Sequence, residues 1–424
     1  MTKPRTPRDS SLHRRLQGRT LFVPRMTDEG AVAFAAAFRS IGIPSEATPF
    51  SDERTIKLGS RYTSGEECYP EKITLGDFMR CIEDYGMDKV AFFMPTAGGP
   101  CRFGQYRPLL SKTLEQAGFG SIPLVAPSSA NSYDGLGEHS GELQRTGWRA
   151  LVASDTIRSL RLRFRPYEVH KGETDRIADE SLAEICRIIE RQDLSQKEKL
   201  AAMVQGMRKI GERFAGIPLK NETRPLIGVV GEIYCRLATF SNEDLVRKFE
   251  EYGGECWLSG VTEWIFYTNR DQIQELIRNG HRFSRQLLMA RLKNHVQTRD
   301  EHKLVEPVRH LLQGREEPAD VREVLARSMP YLPFTGALGE MVLSVGKAIY
   351  LHDKGACGIA DISPFSCMNG IVCEAVYPKV SADHHGIPIR AFYFDGTQKM
   401  VDQEVDIFME LARNYQRKRR FSEA

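Results

Sequence analysis

Short runs of consecutive apolar residues alternate along the chain with stretches whose apolar positions recur every three or four residues. Thr20-Leu-Phe-Val-Pro24 reads as a buried strand, and Asp28 offers a cap to an amphipathic helix with Val32, Ala35, Ala36 and Phe38 on one side. Ser45 to Phe50 is a short second strand and Lys89-Val-Ala-Phe-Phe-Met94 a third. Between them Leu75, Phe78, Met79 and Ile82 recur at helical spacing, and Pro70 suits the first turn of that helix. Ile122-Pro-Leu-Val-Ala126 is a fourth strand. From about Gly147 to Gly216 the pattern turns helical, with Ile177, Leu182, Ile185, Ile188 and Ile189, then Met203, Met207 and Ile210, marking two amphipathic helices. A second alternation opens at Pro225-Leu-Ile-Gly-Val-Val230 and runs through the helix of Leu245, Val246, Phe249 and Tyr252 to the strand Glu255-Cys-Trp-Leu258. After a helical insertion over roughly 272–328, strands resume at Gly358–Ile362 and Ile389–Phe394, and Val405, Phe408, Leu411 and Tyr415 close the chain as a helix.

Strands alternating with helices predict α/β architecture: two doubly wound (Rossmann/flavodoxin-like) parallel-sheet domains with helical insertions. The expected boundaries are a basic tail over 1–18, an N-terminal α/β domain over 19–146, a helical connector over 147–222 and a C-terminal α/β domain over 223–424 with its insertion at about 270–330. In such sheets ligands collect outside the carboxyl ends of the strands, so the cleft between the two domains is the expected site.

The chain has 424 residues, enough for two domains with their own cores. A net charge of +3 gives no overall case for nucleic acid or membrane surfaces. Basic residues do crowd the two ends (Lys3, Arg5, Arg8, Arg14, Arg15 and Arg19; Arg417, Lys418, Arg419 and Arg420), where frayed, solvated tails are the expectation. Thr2 to Gly18 lacks the apolar core of a signal peptide, and no apolar run is long enough to span a bilayer. Nine cysteines in a chain that reads as cytoplasmic argue for reduced thiols or metal ligands over disulfides.

Three of the nine share a context. Cys68 in Thr63-Ser-Gly-Glu-Glu-Cys-Tyr-Pro70, Cys101 in Gly98-Gly-Pro-Cys-Arg-Phe-Gly104 and Cys367 in Ser363-Pro-Phe-Ser-Cys-Met-Asn-Gly370 each lie in a Gly/Pro-rich turn that opens a helix. Outward-pointing N–H groups and the positive end of the helix dipole are expected to lower thiolate pKa there and to suit an anionic cluster. Cys81 lies thirteen residues beyond Cys68 on the same helix, roughly 20 Å along its axis, and reads as a core thiol. Cys373 is rotated off the face of Cys367, and Cys186 falls among apolar helix positions. Cys256 and Cys357 open strands at the opposite sheet edge, which leaves Cys235, in Gly231-Glu-Ile-Tyr-Cys-Arg236, as the reserve ligand. Three thiolates do not close a tetrahedral zinc site, whereas a cubane held by three cysteines keeps one iron open. On spacing alone, scattered structural thiols are favoured over a cluster.

Longer strings shift that balance. Tyr62-Thr-Ser-Gly-Glu-Glu-Cys-Tyr-Pro70, Phe93-Met-Pro-Thr96 followed by Gly99-Pro-Cys-Arg-Phe-Gly-Gln-Tyr106, Gly228-Val-Val-Gly-Glu-Ile-Tyr234, Phe240-Ser-Asn-Glu243, Pro364-Phe-Ser-Cys-Met368 and Phe394-Asp-Gly-Thr-Gln398 resemble the 2-hydroxyacyl-CoA dehydratase superfamily. The likeness is greatest to the C-terminal, cluster-subunit-like part of the large acyl-CoA dehydratase activase-related proteins, and runs from about Arg19 to Tyr415. It implies an oxygen-sensitive [4Fe-4S] cluster with an open fourth iron, the family's motif cysteines falling on Cys68, Cys101 and Cys367. It further implies electron transfer from a separate ATP-hydrolysing activase, an acyl-CoA substrate, assembly as a homodimer or as a heterodimer with a related subunit, and life in the cytoplasm of an anaerobic cell. Two alternatives stay open: a double-cubane small-molecule reductase, which needs six cysteine ligands, and a non-catalytic cluster-bearing scaffold. The chain has no P-loop, and Asp395-Gly-Thr-Gln398 only faintly echoes an actin-like ATP site, so ATP enters only through the partner.

Other residues divide between site and scaffold. Glu232, Tyr234, Arg236, Ser241 and Asn242 follow a strand and suit a crevice wall or interior packing equally. Glu66, Glu67 and Arg102 flank ligand cysteines. Gly98, Gly99 and Gly104 allow close backbone approach or simply shape a turn. His384 and His385 stand before Gly386 in a turn, with metal ligation the minor reading, and Trp257 and Trp264 read as core or interface aromatics.

Overall fold

The run Thr20–Val23 extends as β1 because three successive apolar side chains, Leu21, Phe22 and Val23, are buried. The computed structural model describes residues 11–96, 101–127, 139–333, 339–397 and 401–423. It divides into two compact units, Met1–Ser154 with Ser181–Met207 and Asp155–Glu180 with Arg208–Ala424.

In the first unit α1 (Ser11–Arg15) precedes β1, followed by α2 (Asp28–Arg39), β2 (Ser45–Ala47), α3 (Glu53–Arg61), α4 (Tyr69–Tyr85), β3 (Val90–Phe93), α5 (Tyr106–Gln116) and β4 (Leu124–Val125). The four strands form a parallel sheet in the order β2-β1-β3-β4, with Leu21 opposite Ser45 and Ala91. Phe78 of α4 stacks on Phe92 of β3 with ring centroids 4.1 Å apart, at the centre of an apolar cluster that includes Leu75, Met79 and Ile82. The cap of α2 is Thr27 rather than Asp28. The tail is not wholly solvated: Leu12 and Leu16 are buried, and Arg19 Nη1 donates to the carbonyls of Met87 and Val90 at 2.6 and 2.9 Å. Lys3, Arg5 and Arg8 lie outside the described residues.

Helices α6 (Ser140–Phe164), α7 (Glu173–Glu190) and α8 (Gln196–Ala215) follow, and the boundary between the units passes through all three. The expected connector is thus divided between the two units.

The second unit holds β5 (Leu226–Gly231), α9 (Ile233–Leu237), α10 (Leu245–Glu251), β6 (Glu255–Leu258), α11 (Val261–Arg278), α12 (Arg285–Val305), α13 (Val321–Ser328), α14 (Met341–Asp353), β7 (Gly358–Pro364), α15 (Met368–Asp383), β8 (Ile389–Phe394) and α16 (Val401–Glu423). Its parallel sheet has the order β6-β5-β7-β8. β5, β6 and β7 are buried at every position, as strands covered on both faces require. Gly231 ends β5 at φ +113°, where a Cβ would stand 2.2 Å from the Ile362 carbonyl oxygen; only glycine lets β5 lie this close to β7. Trp257 is buried, its Nε1 donating to Glu317 Oε1 at 2.8 Å, and Trp264 packs against the Val324–Leu343 cluster. No helix among the described residues is long and apolar enough to cross a membrane.

Candidate functional site

The three motif cysteines occupy one local structure three times. Each is the residue before the first turn of a helix: Cys68 before α4, Cys101 before a short 3₁₀ helix (Arg102–Gln105) leading into α5, and Cys367 before α15. Their backbones coincide at φ/ψ of −61/134°, −67/137° and −66/122°. At such a position the first-turn N–H groups have no partner within the helix, and none of the three side chains makes a cap hydrogen bond to them. The same three are the only half-buried cysteines; Cys81, Cys186, Cys235, Cys256, Cys357 and Cys373 are buried.

Local sequence explains each placement. Pro70 fits the first turn of α4, where a missing N–H costs nothing, and the N–H groups of Glu71 and Lys72 return to the Cys68 carbonyl at 2.9 and 3.1 Å. Glu67 folds back on its own turn, accepting from Ser64 N (2.9 Å), Ser64 Oγ (3.0 Å) and Gly65 N (2.9 Å). Burial works against its ionisation, yet these bonds hold its pKa below the ordinary range. Arg102 Nη1 donates to the Glu66 carbonyl at 2.8 Å, tying the turn of Cys101 to that of Cys68. Before Cys367, β7 ends at Pro364 and Ser366 adopts the left-handed conformation at φ 62°, swinging the chain into α15. Phe365, Met368 and Ile371, flanking Cys367 in sequence, are exposed apolar residues. Gly98 and Gly99 lie outside the described residues; Gly104 N bonds to the Cys101 carbonyl at 3.2 Å.

At Cys367 the electrostatics differ from the expectation of a lowered thiol pKa. Burial pushes the Cys367 thiol up to about 12, reinforced by the charges of Glu232 and Glu340, and the N–H groups of Gly370 and Asn369 only partly offset this. Those carboxylates are themselves held in the scaffold. Glu232 caps α9, accepting from Tyr234 N at 3.0 Å and Cys235 N at 2.8 Å, while Glu340 accepts from Ile233 N at 3.1 Å. Burial, then the neighbouring Glu232, pushes Glu340 up to about 8, and burial pushes Glu232 up as well. In the first unit Glu71, one turn past Cys68, is buried and pushed up to about 7 by burial and by Glu67, against the pull of Arg102. Each unit therefore carries a carboxyl able to hold a proton near neutrality beside a motif cysteine.

Of the crevice candidates, Ser241 and Asn242 serve packing. Both are buried and bond the Cys235 carbonyl, through Ser241 Oγ at 3.2 Å and Asn242 Nδ2 at 2.6 Å. Tyr234 is buried too. Arg236 is 3 % exposed; its Nε donates to the Ser259 carbonyl at 3.2 Å and its Nη1 to the Gly231 carbonyl. Asp395 is a loop residue whose Oδ1 accepts from Thr397 N at 2.8 Å, and Gln398 lies outside the described residues. Sequence reasoning passed over Glu71, Glu340 and Asp361. Asp361 had a signal, a carboxylate within an otherwise apolar strand. It is fully buried and accepts from Ser363 Oγ at 2.8 Å and from the Tyr377 hydroxyl.

Compared with known proteins, the chain matches no protein-family model and no curated protein.

Proposed function

We propose that Cys68, Cys101 and Cys367 hold one [4Fe-4S] cluster and that the chain accepts a low-potential electron from a separate ATP-hydrolysing activase. This is the role carried by the resemblance to 2-hydroxyacyl-CoA dehydratase cluster subunits. The observation that supports it most directly is the sorting of the nine thiols. The three singled out by motif are the three half-buried ones, and they alone combine that exposure with one repeated helix-start geometry. Such thiols fit cluster ligation, because first-turn N–H groups stabilise thiolate and sulfide charge. A cubane held by three thiolates supplies a one-electron donor and an open iron position. The chain's own residues supply the surroundings: Glu71 and Glu340 hold protons, and exposed apolar Phe365, Met368 and Ile371 exclude water or receive a partner protein.

The finer fold reading belongs to the same proposal: each sheet is doubly wound in the flavodoxin manner, with its ligand edge where the strand order reverses, at β1/β3 and β5/β7. An oxygen-labile open cubane goes with the cytoplasm of an oxygen-poor cell. Burial of the other six thiols favours a single cubane over two.

Anaerobic iron and sulfide analysis, with EPR of the dithionite-reduced protein, tests this. About four irons per chain are expected, lost in Cys101→Ala and retained in Cys81→Ala. No iron in the wild type after anaerobic reconstitution would overturn the proposal, and about eight would replace it with the double cubane.

A further inference from the structure

At the other edge of the second unit's sheet, the turns leading into β7 and β8 bring together two histidines and a carboxylate. His352 and Asp353 end α14, five residues before β7 begins, and His384 follows α15 ahead of β8. This is the amino edge of both strands, whereas Cys367 follows the carboxyl end of β7. One ligand atom from each of His352, Asp353 and His384 lies within 4.8 Å of the other two.

The hydrogen bonds around them fit rings protonated at Nε2. The Tyr415 hydroxyl donates to the His384 carbonyl at 3.4 Å and lies 3.1 Å from His352 Nε2. In the tautomer in which that hydroxyl accepts from Nε2–H, neutral His352 keeps its lone pair on Nδ1. This Nδ1 is buried, has no hydrogen-bond partner, and faces Asp353 Oδ1 at 3.5 Å. In that tautomer two acceptors face one another at a residue only 8 % exposed, a gap that either a proton or a cation fills. At His384 the pattern repeats: the Tyr331 hydroxyl donates to Asp383 Oδ2 at 3.0 Å and stands 3.3 Å from His384 Nε2, which leaves Nδ1 as the lone-pair nitrogen. Arg327 Nε holds the other Asp353 oxygen, Oδ2, at 2.9 Å and so fixes the carboxylate with Oδ1 turned to His352. Asp353 and His384 also line an open cavity of about 520 Å³, together with Arg327, Tyr331 and Asp383.

We propose that His352, Asp353 and His384 bind a divalent transition metal ion of the zinc type, with a fourth position open to water or a small anion from the cavity. Two imidazoles and a carboxylate are a zinc donor set, and tetrahedral bonds of about 2.0–2.1 Å require donor atoms roughly 3.4 Å apart. The Nδ1–Oδ1 pair already meets that separation, and the His384 donor lies within 4.8 Å of both. Tyr415 and Tyr331 act as outer partners that orient the rings, as hydrogen-bonded ligating histidines require. The site is independent of the cysteine cluster in place and in donor chemistry.

Cobalt titration of the full-length protein, cluster-loaded and under argon, separates this site from the thiols. Cobalt held by nitrogen and oxygen gives tetrahedral d–d absorption without thiolate-to-metal charge transfer. One equivalent of such a species is expected, displaced by zinc, absent in His384→Ala, and weakened about 10- to 100-fold in Tyr331→Phe, with circular dichroism unchanged. Asp353→Asn, at an exposed helix end, gives the same loss should His384→Ala fail to fold. Absence of the thiolate-free species from wild type would mean that a proton alone fills the gap and would overturn the proposal. So would its persistence in a folded His384→Ala or Asp353→Asn.

Discussion

A thiol at a helix start is pulled two ways, by N–H groups that favour its anion and by burial that disfavours it. At Cys367 burial wins, with Glu232 and Glu340 adding to it. In the iron-free protein this thiol is therefore expected to react slowly with iodoacetamide at pH 9, where Glu340 is mostly ionised. Glu340→Gln keeps an acceptor for Ile233 N but removes the charge, so alkylation of Cys367 should speed up several-fold by peptide mass spectrometry. An unchanged rate would show that Glu340 does not set the thiol's environment. That Cys68, Cys101 and Cys367 stand at helix starts was legible from turn residues alone, since Gly, Pro and a following helical pattern mark a helix start whatever the tertiary structure. The carboxylates around them were not. Glu340 stands 27 residues before Cys367 in sequence and acts on it only through the packing of α14 and α15 beside β5 and β7. His352 and Asp353 escaped for the same reason, since a whole βα unit separates them from His384, which the turn before Gly386 marked only as a minor metal candidate.

At the scale of elements, α3 and α4 position the turn that carries Cys68. They cross at two glycines. A Cβ on Gly76 would lie 2.0 Å from the Thr55 carbonyl oxygen, and one on Gly59 2.2 Å from that of Lys72. Both obstacles are backbone, so neither can rotate away. Gly76→Ala is accordingly expected to destabilise the protein by about 1–3 kcal/mol through forced separation of the helices. Because residues 62–68 join them, it should also lower iron content. Urea denaturation and iron analysis of the same preparation check both effects, and normal iron content with reduced stability would uncouple the turn from the helix crossing. Sequence periodicity found α4, whose Leu75, Phe78, Met79 and Ile82 supply a clear stripe, but missed α3. Glu53–Arg61 has only Ile56 and Leu58 as large apolar residues, and its start rests on a capping box between Asp52 and Thr55. The seven apolar-rich runs that became strands were legible because buried parallel strands read as continuous hydrophobics. β4 shrank to two residues beside Pro123, which has no N–H to offer a ladder.

Across the whole molecule, buried carboxyls set how stability responds to pH. Burial pushes Asp77 up to about 7 although Ser51 Oγ and Thr55 Oγ1 donate to it at 2.8 and 2.9 Å. Burial likewise pushes Glu301 up to about 7, Glu71 to about 7 and Glu340 to about 8. A carboxyl whose folded pKa lies above its unfolded one binds more protons in the folded state between the two values. Its contribution is therefore complete below the unfolded pKa and is lost as pH rises through the folded value. Asp175 runs the other way. Burial opposes its ionisation, but Arg165 and Arg247 outweigh it and hold its pKa low, so its contribution is present at higher pH and disappears in acid. The raised carboxyls therefore favour a decline in stability as pH rises from about 5 toward 8. Asp77 carries a ceiling of about 4 kcal/mol of that decline, from its rise from 3.8 to about 7. Asp77→Asn removes the titration while preserving shape and an acceptor for one of the two hydroxyls. It is expected to cost stability at pH 5, where the wild-type carboxylic acid is already neutral and fully bonded, and to gain relative to wild type at pH 8. Urea midpoints measured at half-unit intervals from pH 4.5 to 8.5 should give a flatter curve for the variant that crosses the wild type near pH 7. Parallel curves would mean that Asp77 is ionised in the folded protein throughout, with Arg25 and Arg80 supplying the compensating charge.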